Sequence, residues 1–143
     1  QAKEFLVRVK RAGHLISKSR WIGAQIEAWL EDHHWLDLAR SANGRAAELA
    51  ESFAKVPGVR VLWKPAANLV FAVLNREVHN RLKQAGVAAS EYPRHALPTH
   101  ESLQEDEVFV RLACSFSTTR EEVNSLLRSA QDAPPRPLPA SSD

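Results

Sequence analysis

Apolar and polar residues follow two different periods along this chain. From about Ala2 to Arg11 the pattern is helical, and Gly13 ends the run. Ile22, Ile26, Trp29 and Leu30 recur at the spacing of one helical face, which predicts a second helix beginning near Ser17 or Ser19 and ending around Glu31 to His34. A third run, through Trp35, Leu38, Ala39, Ala42, Ala46, Leu49, Ala50 and Phe53, holds the same period until Pro57 and Gly58 stop it. Its single apolar stripe implies one packed face.

After Gly58 the period is that of strands. Val59 to Trp63 and Asn68 to Leu74 read as two strands, followed by a short helix from about Arg76 to Ala85 that Gly86 closes. Val87 to Glu91 is a further candidate strand, the stretch from Tyr92 to Asp106 is polar and broken by prolines, and Glu107 to Cys114 is a clear strand. Thr118 and Glu121 form a capping-box pattern ahead of Val123, Leu126, Leu127 and Ala130, which predicts a last helix. From Asp132 the chain turns to Pro, Ser and Ala. This order implies an α+β fold, a mostly antiparallel sheet with helices on one face, preceded by long connecting helices.

Composition adds limits. With 143 residues, 44% apolar and 25% charged, the chain has the size and balance of one folded domain. The apolar runs are too short to cross a bilayer, and the first residues do not follow a signal-peptide plan, so a cytoplasmic protein with no membrane partner is expected. Cys114 is the only cysteine, which excludes an intrachain disulfide. The chain opens with Gln1 and has no methionine, and it is read as a fragment. The net charge of +2 does not call for an acidic partner, and no nucleic acid is expected. Yet residues 1–20 carry Lys3, Arg8, Lys10, Arg11, Lys18 and Arg20 against Glu4 alone.

Two places could carry chemistry. Strand alternation puts Val108, Val110 and Leu112 on one face and Phe109, Arg111 and Ala113 on the other. A permanently charged guanidinium within an apolar strand asks for an anion. It suits a substrate carboxylate, whose two oxygens match its fork, but composition alone favours a salt bridge to an Asp or Glu on the solvent face of an edge strand. Ser17, Lys18, Ser19 and Arg20 precede an apolar helical run, where cations oppose the helix dipole unless an anion sits among them. A phosphate fits there, and so does a solvated basic turn. His33 and His34 are adjacent and point apart, His95 and His100 lack further ligands at a recognisable spacing, and no metal site is expected. Cys114 reads as a small buried apolar residue. The tail around Pro134, Pro135, Arg136, Pro137, Leu138 and Pro139 matches a minimal polyproline ligand and reads as disordered.

The stretch Val9-Lys10-Arg11-Ala12-Gly13-His14-Leu15-Ile16-Ser17-Lys18-Ser19-Arg20-Trp21 resembles one in the low-specificity L-threonine aldolases. The likeness continues through Ala24-Gln25, Trp29-Leu30-Glu31-Asp32, Trp35-Leu36, Leu38-Ala39, Ala67-Asn68, Val70-Phe71, Val110-Arg111-Leu112 and Thr118-Thr119 with Glu121. The resemblance implies the C-terminal portion of a fold type I pyridoxal-phosphate lyase. Such an enzyme cleaves L-threonine or L-allo-threonine to glycine and acetaldehyde as a homo-oligomer, a dimer or tetramer with sites between subunits. By position, Arg111 matches the family arginine that holds the substrate α-carboxylate, and Arg20 the arginine near the cofactor phosphate; Lys18 and His14 receive no role. Residues 1–34 become connecting helices from a large cofactor domain, 35–131 the small α+β domain and 132–143 a Pro-rich tail.

Departures qualify that likeness. None of Lys3, Lys10, Lys18, Lys55, Lys64 or Lys83 has the small-residue setting of the family's cofactor-binding lysine, so this chain alone is expected to be inactive. Cys114-Ser115-Phe116 replaces a Thr-Ser-Trp-like segment, and the stretch from Tyr92 to Asp106 is longer than expected. The alternatives are the small domain of another fold type I lyase or aminotransferase, and a non-catalytic interaction module derived from one.

Overall fold

The computed structural model describes residues 2–14 and 18–131. Ser17 of the basic turn and the expected tail at 132–143, with its proline pattern, lie outside the described residues. The chain divides into two units, Gln1–Asp37 and Leu38–Asp143, with the division inside a helix.

The first unit holds α1 (Ala2–Arg11), α2 (Ser19–Leu30) and the first turn of α3 (His34–Phe53). Glu4 and Arg8 lie one turn apart on α1 and pair at 2.6 Å. The chain leaves α1 through Gly13 at φ +74, which lets the His14 N–H reach back to the Val9 carbonyl at 3.1 Å. Between α2 and α3, Asp32 and His33 take positive φ, 47 and 62, and break the helix. Trp29 and Trp35 flank that break with ring centroids 6.0 Å apart. No residue of α2 is buried, and Trp21 is 73% exposed. Apart from the Trp29–Trp35 contact, the stripe that makes α2 amphipathic is left uncovered within its own unit.

The second unit is a four-stranded sheet, β1 (Val59–Val61), β2 (Leu69–Asn75), β3 (Ser90–Glu91) and β4 (Glu107–Ala113), in the order β1-β2-β4-β3. Every pairing is antiparallel, so β2 and β3, which flank β4, run parallel to each other across α4 (Arg76–Gln84). The expected α+β architecture with helices on one face is what the chain forms. Val70, Ala72 and Leu74 of β2 and Val108, Val110 and Leu112 of β4 point to that face. There they pack with Ala46, Leu49, Ala50 and Phe53 of α3, Val78 and Leu82 of α4, and Val123 and Ala130 of α5 (Arg120–Gln131). Burying such side chains stabilises by about 1.5–3 kcal/mol each relative to leaving them in water.

Polar contacts fix where each element stops and starts. Asn75 ends β2 and caps α4, its Oδ1 accepting from the Val78 N–H at 2.8 Å. Its own N–H donates to the Gly58 carbonyl at 2.8 Å, and a Cβ on Gly58, which sits at φ +79, would lie 2.3 Å from Asn75 Nδ2. Only glycine fits that approach. Arg81 ties α4 to the end of α5, its guanidinium donating to the Ala130 carbonyl at 2.6 and 3.2 Å. Glu48 of α3 pairs with Arg120 of α5 at 3.0 Å.

Three expected boundaries shift. The strand predicted over Val59 to Trp63 ends at Val61, although the Leu62 N–H still donates to Phe71 O at 3.0 Å. Of Val87 to Glu91 only Ser90–Glu91 pairs, because the Val87 N–H closes α4 on Leu82 O and the Ala89 N–H turns back to Val87 O. The capping box forms one residue later than its predicted place: Glu122 Oε2 accepts from the Thr119 N–H at 2.7 Å, and Thr119 Oγ1 accepts from the Glu122 N–H at 3.1 Å. Thr118 is engaged elsewhere, its hydroxyl accepting from the Ser115 N–H at 2.8 Å.

Candidate functional site

The face of the sheet away from the helices carries a different set of side chains. Cross-strand register places Phe71 of β2 opposite Arg111 of β4, Arg111 opposite Ser90 of β3, and Val73 opposite Phe109. The backbone N–H of Tyr92 donates to Phe109 O at 2.7 Å, so Tyr92 continues β3 and brings its ring to the same face. Four aromatic rings meet there. Tyr92 stands edge-on to Phe71 and Phe109 with centroids 5.4 and 5.5 Å away, and Trp63 stands edge-on to Phe71 at 5.2 Å. Edge-to-face geometry matches the positive rim of one ring to the negative face of the next.

Arg111 sits at the border of this cluster. Its Cζ lies 5.3 Å from the centre of the Tyr92 ring, within cation–π range. The residue is exposed, and among the described residues no Asp or Glu comes within ion-pair distance of it. Nor is β4 an edge strand, since it pairs on both sides. The salt bridge on an edge strand that the sequence left open is therefore not formed. A cleft of about 270 Å³ lined by Trp63, Lys64, Pro65, Ala67, Leu69 and Phe71 adjoins the same face, sharing Phe71, the cross-strand neighbour of Arg111. At the other end of the face, the Arg60 guanidinium holds Glu101 and Glu107, which fastens the proline-punctuated stretch to the sheet.

Arg20 belongs to the first unit, in the first turn of α2, and is exposed. That turn holds no acidic residue, Lys18 at its cap makes no side-chain cap hydrogen bond, and Arg20 has no ion pair among the described residues. Basic side chains and a helix start with no side-chain cap form a donor set for an anion.

Sequence reasoning missed Tyr92, which falls in a polar segment, and missed that Phe71 and Phe109 would meet it and that Trp63 would pack on those two rings. The shared odd-numbered face of Phe109 and Arg111 was the one signal present. It also passed over His79, the buried polar side chain of α4. His79 Nε2–H donates to Ala89 O at 3.2 Å, while its Nδ1 has no hydrogen-bond partner and lies 4.0 Å from Glu91 Oε1. No cluster of three His, Cys, Asp or Glu side chains suited to a metal occurs among the described residues. Cys114 is buried on the packed face, where desolvation pushes its thiol pKa up and Arg45 lowers it to a smaller extent. No described helix is long and apolar enough to cross a membrane.

No protein-family model matches the chain. A low-specificity L-threonine aldolase of Pseudomonas aeruginosa is 34% identical over 127 residues, 89% of this chain and 33% of that protein. One from a Pseudomonas species is 36% identical over 85 residues, covering 59% of this chain and 25% of its own length. Among solved structures, a threonine aldolase of Leishmania major superposes with a TM-score of 0.68 at 21% identity, covering 85% of this chain and 33% of that one. A C-DES mutant with glycine covalently linked to its PLP cofactor gives a TM-score of 0.51 at 20% identity, over 65% of this chain and 23% of the other. The chain thus spans about a third or less of each of these proteins. Over 89% of its length the chain is similar in sequence to a low-specificity L-threonine aldolase, and its sheet and helices share the fold of a threonine aldolase.

Proposed function

We propose that this chain is the C-terminal part of a pyridoxal-phosphate-dependent threonine aldolase, with Arg111 as the group that binds the α-carboxylate of L-threonine or L-allo-threonine. The observation that carries this reading is the state of Arg111. It is an exposed guanidinium with no carboxylate partner among the described residues, set beside an aromatic face and an adjoining cleft. A fork of N–H donors presented this way receives a carboxylate in two parallel hydrogen bonds. The C-DES likeness, at 20% identity, speaks for the fold alone; the 34% and 36% sequence matches favour the aldolase over another lyase of that fold.

Pyridoxal phosphate, when bound, withdraws the electrons released as the Cα–Cβ bond of the substrate breaks. The described residues fit part of such a cofactor. Arg20, with Ser19 and the start of α2, suits its phosphate, and α2 offers no acidic side chain there to repel it. Groups that would grip the ring, and the lysine of the reaction, belong in this reading to a large domain that residues 1–34 connect to the small domain at 35–131. This chain's own tasks are then to bind the phosphate end through Arg20, to orient the substrate by its carboxylate through Arg111, and to exclude water with the aromatic face. The chain by itself is inactive in this reading, and the complete enzyme is a homo-oligomer acting in the cytoplasm. The exposed Phe5, Leu6, Trp21, Ile22 and Ile26 of α1 and α2 support the association, as apolar surface for a large domain or a second subunit.

The test is acetaldehyde release from L-threonine and L-allo-threonine by the enzyme that contains this chain, supplied with pyridoxal phosphate. Arg111→Ala should lower kcat/KM by roughly two orders of magnitude, on the scale of a lost charged hydrogen-bond pair. Cofactor absorbance should persist, and stability should stay within about 0.5 kcal/mol because the side chain is exposed. Unchanged turnover in Arg111→Ala removes Arg111 from the site.

A further inference from the structure

We propose that Tyr92 is a positioning residue for Arg111: its ring is a fixed platform that holds the guanidinium in place while leaving its N–H donors open to a carboxylate. This rests on the functional reading above and adds a residue to it.

The platform is fixed on three sides. Its backbone N–H donates to Phe109 O at 2.7 Å, which ties the residue to β4 itself, the strand that carries Arg111. Its ring is held edge-on by Phe71 at 5.4 Å and by Phe109 at 5.5 Å. Phe109 is 2% exposed, so that brace sits in packed surroundings that leave little room for rotation. The guanidinium Cζ then lies over the ring at 5.3 Å.

An arginine on an open surface has many rotamers, and fixing them on binding costs about 1–2 kcal/mol of side-chain entropy. A stack on an aromatic face meets part of that cost before any ligand arrives, because the cation and the ring quadrupole attract without using an N–H donor. A salt bridge would do the opposite, holding the guanidinium but occupying the donors that a substrate carboxylate requires. The neighbours fit this division of labour. Ser90, directly opposite Arg111 across the β3–β4 pair, is small and exposed, so it does not cover the guanidinium.

The experiment compares wild type with Tyr92→Phe, which keeps the ring, and Tyr92→Leu, which keeps bulk but not the ring face. Two quantities are read: the NMR resonance of the Arg111 Nε–H in the 143-residue chain, and KM and kcat for L-threonine in the enzyme that contains it, with thermal denaturation in parallel. The Arg111 Nε–H should be displaced by the ring current in wild type and Tyr92→Phe, and return to the position of a free arginine in Tyr92→Leu. KM should rise about fivefold in Tyr92→Leu, the scale of one exposed cation–π contact. It should stay within twofold in Tyr92→Phe, with kcat little changed in both.

The proposal is overturned if KM is unmoved while the ring-current displacement is lost, if Tyr92→Phe raises KM as much as Tyr92→Leu, or if kcat and thermal stability fall with KM constant. Should wild type show the displacement but no threonine cleavage, the aldolase reading fails by itself. A glycine titration of the Arg111 resonance then decides the role of Tyr92: a saturable shift that weakens in Tyr92→Leu supports it, and no shift overturns it.

Discussion

The two faces of the sheet are built from neighbouring residues of the same strands, yet they do opposite things. Toward the helices point Val70, Ala72, Leu74, Val108, Val110 and Leu112, all buried and closed over by α3, α4 and α5. Away from them point Phe71, Phe109 and Arg111, joined by Tyr92 and Trp63; Phe109 is buried among these rings, Phe71, Tyr92 and Trp63 keep some contact with water, and the Arg111 charge is exposed. The packed face uses aliphatic side chains, which fill volume without direction. The open face uses aromatic and cationic groups, whose attraction depends on orientation, and such groups suit a surface that must recognise something. One face is spent on stability, and the other is left for contact.

That contrast can be broken by substitution. Leu74→Ala, on the packed face and 0% exposed, should lower unfolding free energy the most, by about 3 kcal/mol in denaturant titration. A loss under 1 kcal/mol would mean the helices close over the vacancy and the two faces do not differ. Phe71→Ala, on the open face, should cost less despite deleting a larger group, about 1–2 kcal/mol, because half-exposed atoms regain water instead of leaving a void. If it costs more than Leu74→Ala, the aromatic cluster is the main core.

The smallest effect is expected at Cys114, also on the packed face. Burial raises its thiol pKa in the folded state, so the folded protein keeps a proton that the unfolded chain releases. That contribution is complete below the unfolded thiol's pKa, near 8.5, and is lost as pH rises from there through the folded value. Unfolding free energy measured from pH 7 to 10 should therefore fall more steeply for wild type than for Cys114→Ala. Parallel curves would show that Cys114 is not sequestered from water on that face.

Helix periodicity was legible where the physics is local. α1 and α3 begin and end close to where Gly13, Pro57 and Gly58 predict, because backbone hydrogen bonds and φ preferences are settled within a few residues. The helices α2 and α3 nevertheless show why a pattern does not reveal its partner. Both carry an apolar stripe, but α3 buries Ala46, Leu49 and Phe53 while α2 buries nothing. Amphipathicity states that a face needs covering and is silent about what covers it. The capping box shows the same limit at finer scale. Thr118 with Glu121 and Thr119 with Glu122 both satisfy the motif, and the Ser115 N–H, by engaging the Thr118 hydroxyl, selects the second.

By itself the sequence determined the periods of the elements, the α+β order, the alternation that separates Arg111 from Val110 and Leu112, and the likeness to the aldolases. Tertiary structure decided that β4 lies inside the sheet between β2 and β3, and that Tyr92, in a segment with no regular period, comes to rest beside Arg111. The reason is distance along the chain. Arg111 and Phe71 are far apart in sequence and opposite each other in register, and only the pairing of whole strands, driven by burial of their other face, brings such residues together.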